Sequence, residues 1–81
     1  SQKIIVYGSS WCPDCHRAKK LLDTSNADYE WININEDAEG RTRVETINNG
    51  NRSVPTILFP DGDILVEPSN AILAQKLSSL G

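Results

Sequence analysis

Short apolar runs alternate along this 81-residue chain with segments of helical spacing, and their order predicts an α/β protein. The apolar runs are rich in β-branched and aromatic residues, which favour strands. They cover residues 3–7, 29–34, 56–59 and 64–66. Helical spacing is found in residues 16–22, from Asn35 or Asp37 through Asn48, and after a cap at Ser69 or Asn70. The predicted order is therefore β-α-β-α-β-β-α.

The connections between the predicted strands indicate how the strands are directed. The first two strands are joined through a helix, and a crossover of this length places them parallel. Residues 60–63 (Pro-Asp-Gly-Asp) form only a tight turn, so the last two strands pair as an antiparallel hairpin. We expect a four-stranded mixed sheet flanked by three helices, in a single domain that spans residues 1–81.

Composition and charge narrow the classes of function that this chain can serve. The net charge is −3 and the basic residues form no stripe, which argues against nucleic-acid binding. No apolar run approaches the ~20 residues of a membrane span, and the first residues lack the apolar region of a signal peptide. Two cysteines are too few for a disulfide scaffold. We therefore expect a cytoplasmic protein without a membrane or nucleic-acid partner.

Both cysteines lie in Cys12-Pro13-Asp14-Cys15, between the first strand and the first helix. A cysteine pair of this spacing at such a junction is typical of a dithiol–disulfide redox site. The free N–H groups of a helix N-terminus stabilise an anion, which here would be the Cys12 thiolate, and Pro13 suits the first helical turn. We predict that Cys12 is the nucleophile, that Cys15 resolves its mixed disulfides, and that Cys12 ionises at lower pH than Cys15.

The same residues allow other interpretations, each weaker on the sequence. Cys-Pro-Asp-Cys-His matches the attachment pattern of c-type haem, but the chain has no Met and no His other than His16 to serve as a second axial ligand. Structural zinc needs four ligands, and only three lie near one another here. A purely structural disulfide would close a very short loop and remove little entropy from the unfolded chain. We expect no bound metal.

The arrangement as a whole resembles a known family. The element order, residues 11–15 (Trp-Cys-Pro-Asp-Cys) and residues 53–56 (Ser-Val-Pro-Thr) are together similar to glutaredoxins of the thioredoxin superfamily. Over the full length, and especially in residues 49–56 and 68–69, the chain is more similar to the mycoredoxins and glutaredoxin-like small redoxins. The resemblance implies a thioredoxin-like fold, with the four-stranded mixed sheet and three helices already predicted.

The resemblance also implies how a substrate is held beside the cysteines. It implies a cis peptide between Val54 and Pro55, in a loop that faces the cysteines and offers the Val54 backbone to an incoming thiol substrate. Trp11, which directly precedes Cys12, is a candidate for an exposed apolar rim at which the substrate docks.

Two departures from glutathione-using glutaredoxins bear on the identity of the small thiol. Those proteins usually carry a basic residue three positions before the nucleophile, where this chain has Ser9. They usually carry Gly-Gly and an acidic residue before the last helix, where residues 67–70 are Glu-Pro-Ser-Asn. By resemblance, Arg52 is placed for an anionic group, and Ser69 and Asn70 can offer donors at a helix N-terminus.

The sequence therefore predicts a thiol–disulfide oxidoreductase that reduces mixed disulfides between proteins and a low-molecular-weight thiol, and also protein disulfides. Mycothiol or glutathione is the expected co-substrate, and no bound cofactor is expected. The expected partners of this monomer are oxidised proteins, small-thiol mixed disulfides and a reductase system for regeneration.

Two alternatives to this function stay open. One is a small dithiol electron donor reduced by thioredoxin reductase, for example for ribonucleotide reductase. The aromatic-Ser-Gly-Phe-Arg-Pro segment usual in such donors has no clear match here. The other is a dimeric module that binds an iron–sulfur cluster, which proline after the first cysteine disfavours.

Overall fold

Four strands and three helices follow one another in the predicted order. The structure is a computed structural model that describes residues 3–80. The elements are β1 (Ile4–Gly8), α1 (Pro13–Thr24), β2 (Tyr29–Asn33), α2 (Ala38–Ile47), β3 (Thr56–Leu58), β4 (Ile64–Val66) and α3 (Asn70–Leu80). The strands form one sheet in the order β2-β1-β3-β4. In this part of the chain, no helix is long and apolar enough to cross a membrane.

The strand directions confirm the mixed sheet predicted from the connections. β1 runs parallel to β2, with Ile4 opposite Tyr29. It runs antiparallel to β3 on its other side, and β3 and β4 form the antiparallel hairpin. Since β1 lies between two strands, its carboxyl end and the loop that follows it lie in the middle of the sheet edge.

Local side-chain contacts define where the second and third helices begin. Asp37, one of the two predicted caps, accepts a hydrogen bond from the Gly40 N–H (3.1 Å) and is the N-cap of α2. Ser69 Oγ accepts from the Ile72 N–H (3.2 Å) directly before α3. These two side chains satisfy backbone donors that the first turn of a helix leaves free.

The core has two layers because side chains of β1 alternate between the two faces of the sheet. The larger layer lies between the sheet and helices α1 and α3, and its buried members are Ile4, Val6, Ala18, Leu22, Ile57, Phe59 and Leu73. The smaller layer lies beneath α2, and its buried members are Tyr7, Ile34 and Val44. The apolar strand β1 thus packs against core residues on both faces of the sheet.

A charged contact joins the β3–β4 hairpin to α3. The Lys76 ammonium lies against the carboxylates of Asp61 and Asp63, and 5.5 Å from the centroid of the Phe59 ring. The hydrogen bond between Lys76 and Asp61 holds the pKa of that carboxyl below its usual range and raises the pKa of Lys76. The contact fixes the far end of the hairpin on the helix.

Gly8, the last residue of β1, allows α1 to begin close to the sheet. A Cβ atom there would lie 2.5 Å from Cη2 of Trp31 and 3.1 Å from Sγ of Cys15. The outer face of the Trp31 ring carries the ammonium of Lys19, 5.3 Å from the ring centroid. The indole of β2 and the thiol of α1 therefore share the space that any other residue at position 8 would fill.

Replacing Gly8 by Ala should destabilise the protein by about 1–3 kcal/mol, because the rigid indole or the start of α1 must move. The matched control is Gly40→Ala, whose Cβ would lie 3.0 Å from Cγ2 of Ile32. There the gain in helix propensity, about 1 kcal/mol, offsets the tighter contact. Urea unfolding followed by circular dichroism measures both free energies. A Gly8→Ala protein as stable as the wild type would contradict this account of the packing.

Candidate active site

Cys12 is the N-cap of α1. Its backbone is extended (φ −96°, ψ 113°), and its sulfur accepts a hydrogen bond from the Cys15 N–H at 3.2 Å. Pro13 occupies the first helical position, where its missing N–H costs no hydrogen bond. The Cys12 sulfur therefore lies where the free N–H groups of the first turn converge, a position that favours an anion.

The two cysteines, both free thiols, differ sharply in exposure. Cys12 is half-buried, whereas the Cys15 side chain is fully buried. Burial, followed by the hydrogen bond with Cys12, raises the pKa of the Cys15 thiol to about 12. Negative charge at Cys12 and at Asp14 acts in the same direction. Cys15 is thus held as a protonated thiol near neutral pH.

The loop before β3 faces Cys12. The Cys12 sulfur lies 3.8 Å from the backbone oxygen of Val54, within hydrogen-bond distance for a thiol. The Val54–Pro55 peptide bond is cis, as the family resemblance implied, and Pro55 is buried. The Pro55 oxygen in turn accepts a hydrogen bond from the N–H of Glu67 (2.8 Å), which joins this loop to the β4–α3 loop.

Arg17 joins the cysteine helix to the β4–α3 loop. Its Nη1 donates to Oδ1 of Asn70 (2.7 Å), and its Nη2 donates to the backbone oxygen of Pro68 (3.1 Å). Nη2 also lies 3.6 Å from the Asp14 carboxylate, one turn earlier in α1. Asn70 is thereby tied to the cysteine helix, together with the loop that contains Ser69.

The other two candidate substrate residues have different surroundings. The Trp11 side chain is 83% exposed, so an apolar surface lies directly beside Cys12. The Arg52 side chain is exposed and forms an ion pair with Glu45 on α2, with 2.5 Å between Nε and Oε2. Binding of substrate by Trp11, Arg52, Ser69 and Asn70 stays a prediction.

Ser9 has a role that the sequence did not indicate beyond its departure from the family pattern. Its buried Oγ accepts hydrogen bonds from the Trp11 N–H (3.2 Å) and from Nδ2 of Asn35 (2.7 Å). A hydroxyl that binds the backbone two residues later is typical of turns before helices, and this was the signal available in the sequence. Ser9 therefore fixes the turn that carries Trp11.

His16 also stabilises this turn. Its Nε2 lies 2.8 Å from the backbone oxygen of Ser10, to which it donates in the tautomer protonated at Nε2. Within residues 3–80, no group of three or more His, Cys, Asp and Glu side chains is arranged to hold a metal ion. His16 is placed to hold the turn and is exposed beside the buried Cys15.

Comparison with known proteins agrees with this geometry. The glutaredoxin family model matches residues 4–64. The chain is 34% identical over 77 residues to Mycoredoxin 1 from Corynebacterium glutamicum, a match that covers 95% of each chain.

Solved structures show the same arrangement of elements. A mutant of the thioredoxin-like protein BC3987 has a TM-score of 0.82 at 32% identity, covering 94% of this chain and 95% of that one. The glutaredoxin from Methanosarcina mazei Go1 has a TM-score of 0.75 at 29% identity, covering 93% of this chain and 77% of that one. The predicted thioredoxin-like fold and the predicted family resemblance are confirmed.

The difference in burial predicts the order in which the cysteines react. Iodoacetamide should modify Cys12 first, and Cys15 in the folded protein only at strongly alkaline pH, because the reactive form is the thiolate and the pKa of Cys15 is raised to about 12. Mass-spectrometric mapping after brief alkylation over a series of pH values measures both rates. In denaturant, where the burial is lost, the two cysteines should be modified at similar rates. Preferential labelling of Cys15 near neutral pH in the folded protein would overturn the assignment.

Proposed function

Because the chain belongs to the glutaredoxin family and is a thiol–disulfide oxidoreductase, we propose that Cys12 is its nucleophile and that it reduces mixed disulfides between proteins and a small thiol. The observation that carries this proposal is the difference between the two cysteines. Cys12 is accessible at the start of α1, whereas Cys15 is fully buried. An incoming disulfide can therefore reach Cys12 but not Cys15.

The proposed reaction has two exchange steps. The Cys12 thiolate attacks the small-thiol sulfur of the mixed disulfide, so that a new disulfide forms between Cys12 and the small thiol while the protein sulfur leaves as a thiolate and takes a proton. A second small thiol, as its thiolate, then attacks the small-thiol sulfur bound to Cys12. Cys12 is released as a thiolate, and the two small thiols leave joined by a disulfide. The protein substrate is reduced and the small thiol is oxidised.

Cys15 provides a second route, which we assign to protein disulfides. There the Cys15 thiolate attacks the sulfur of Cys12, releases the substrate thiolate and leaves a Cys12–Cys15 disulfide for re-reduction. Two causes of the raised Cys15 pKa, the hydrogen bond with Cys12 and the charge of Cys12, are lost once Cys12 is in a mixed disulfide. Desolvation by burial and the charge of Asp14 remain, so this route is the slower one for small-thiol mixed disulfides.

We propose mycothiol as the co-substrate in preference to glutathione. Ser9 replaces the basic residue of glutathione-using relatives, and its hydroxyl is engaged within the turn. The Arg52 guanidinium is paired with Glu45. Mycothiol has a polar sugar and no free glutamyl group, which suits a site without those charges. The similarity to Mycoredoxin 1 over 95% of the chain supports the same choice.

The substrate contacts and the cellular setting complete the proposal. The Val54 backbone beside Pro55 pairs with the substrate, Trp11 forms an apolar rim, and Ser69 and Asn70 bind the polar part of the small thiol. The protein acts as a monomer in the cytoplasm on oxidised proteins, and a reductase system regenerates the small thiol.

A comparison of three regenerating systems tests the identity of the co-substrate. One mixed-disulfide substrate is supplied with glutathione and its reductase, with mycothiol and its reductase, or with a flavin thioredoxin reductase. We expect turnover with mycothiol to exceed turnover with glutathione. Turnover confined to the thioredoxin reductase would replace this proposal with the dithiol electron donor. A coloured protein with the absorption of an iron–sulfur cluster, purified without oxygen, would instead support the binding module.

Replacing each cysteine by serine should have a different effect on activity. Cys12→Ser should reduce activity to background on every disulfide, because a serine hydroxyl is not appreciably ionised near neutral pH. Cys15→Ser should keep most of its activity on small-thiol mixed disulfides and lose activity on protein disulfides. Mass spectrometry should also find one small thiol attached to Cys12 in the Cys15→Ser protein. Equal loss of activity in both variants on small mixed disulfides would refute the monothiol route.

A further inference from the structure

Successive contacts link Cys12, the Val54–Pro55 loop, the β4–α3 loop and Arg17 in a closed chain that starts and ends on α1. The sulfur contacts the Val54 oxygen, and the next residue along the chain, Pro55, accepts from the N–H of Glu67. The residue after Glu67, Pro68, accepts from Arg17, which returns the chain of contacts to α1. Three segments distant in the sequence are thus in contact, and the Arg17 side chain links the β4–α3 loop back to α1.

The guanidinium of Arg17 also determines how the Asn70 side chain is turned. The arginine side chain only donates hydrogen bonds, so the amide oxygen of Asn70 must face it. Nη1 of Arg17 lies 2.7 Å from this oxygen. The two N–H donors of the amide are then directed away from Arg17. A fork that donates to Pro68 and Asn70 at once requires the planar guanidinium, and the single ammonium of a lysine is not equivalent.

We propose that Arg17 is a positioning residue that sets the affinity for the small thiol. It holds the β4–α3 loop against the cysteine helix and orients the Asn70 amide so that its N–H groups donate to oxygen atoms of the thiol's non-reacting part. The ligand class is a thiol with hydroxyl or carboxylate oxygens in that part. The inference rests on the proposed function, since it concerns the same exchange at Cys12.

The test separates recognition of the small thiol from the reactivity of Cys12. Arg17→Lys keeps the positive charge near Cys12 but loses the fork. With the mycothiol mixed disulfide as substrate, KM should rise about tenfold, the loss of one good hydrogen bond, while kcat changes less than about twofold. The second-order rate with dithiodipyridine, a disulfide without oxygen acceptors, should equal that of the wild type. Lys20→Arg, a change at an exposed position on the same helix, should leave KM and the rate with dithiodipyridine unchanged.

A double-mutant cycle tests whether Arg17 acts through Asn70. Asn70→Ala alone should raise KM to a similar degree, and adding Arg17→Lys should raise it little further, because both changes remove one interaction. Additive effects would overturn the inference. So would an unchanged KM in Arg17→Lys, or an equal loss of rate with dithiodipyridine, which would indicate an effect on Cys12 itself. If Arg17→Lys fails to fold, Asn70→Ala tests the contact from its other side, and an unchanged KM there overturns the inference as well.

Failure of the proposed function gives a different result. A wild-type protein that reacts with dithiodipyridine but turns over neither the mycothiol nor the glutathione mixed disulfide would refute the small-thiol proposal and this inference together. A wild-type protein that turns over the mixed disulfide, with no change of KM in the variants, would refute the inference alone.

Discussion

The close approach of α1 to the end of β1 is the constraint on which the candidate site depends. At Gly8 no side chain stands between the sheet and the helix, so the Trp31 indole and the Cys15 thiol fill the same small space. Lys19 covers the outer face of that indole. The first turn of α1 thereby packs against the sheet, with Cys15 buried between them and Cys12 at the N-terminus of the helix. A side chain at position 8 would have to displace the Trp31 indole or the turn that carries the two cysteines.

The position of this first turn explains the chemical difference between the side chains of Cys12 and Cys15. Cys12 meets the free N–H groups at the helix start, where negative charge is stabilised, whereas Cys15 lies where burial disfavours it. The helix end and the core thus act in opposite directions on thiols only three residues apart. This difference supports a proposal in which one cysteine starts the exchange and the other serves as an internal second thiol.

Polar contacts around the thiol belong mainly to the backbone and to neutral side chains. The Val54 oxygen faces Cys12, the Ser9 hydroxyl holds the turn, and the Arg52 charge is paired with Glu45. Arg17 is directed at the β4–α3 loop. The guanidinium groups of Arg17 and Arg52 are thus both engaged by partners within the protein. The selectivity of the site would come from oriented hydrogen-bond donors, which is the basis for preferring a sugar-containing thiol.

The sequence by itself determined the order and type of the elements, the position of the cysteine pair at a helix start and, through family resemblance, the cis bond at Pro55. These features depend on side-chain periodicity, caps and turns, which act over a few residues. Tertiary structure alone decided that Cys15 is buried, that Trp11 is exposed, and that Arg17 meets Asn70, 53 positions away. The reason is physical: burial and long-range hydrogen bonds exist only after distant segments pack together, and local patterns carry no record of which segments will meet.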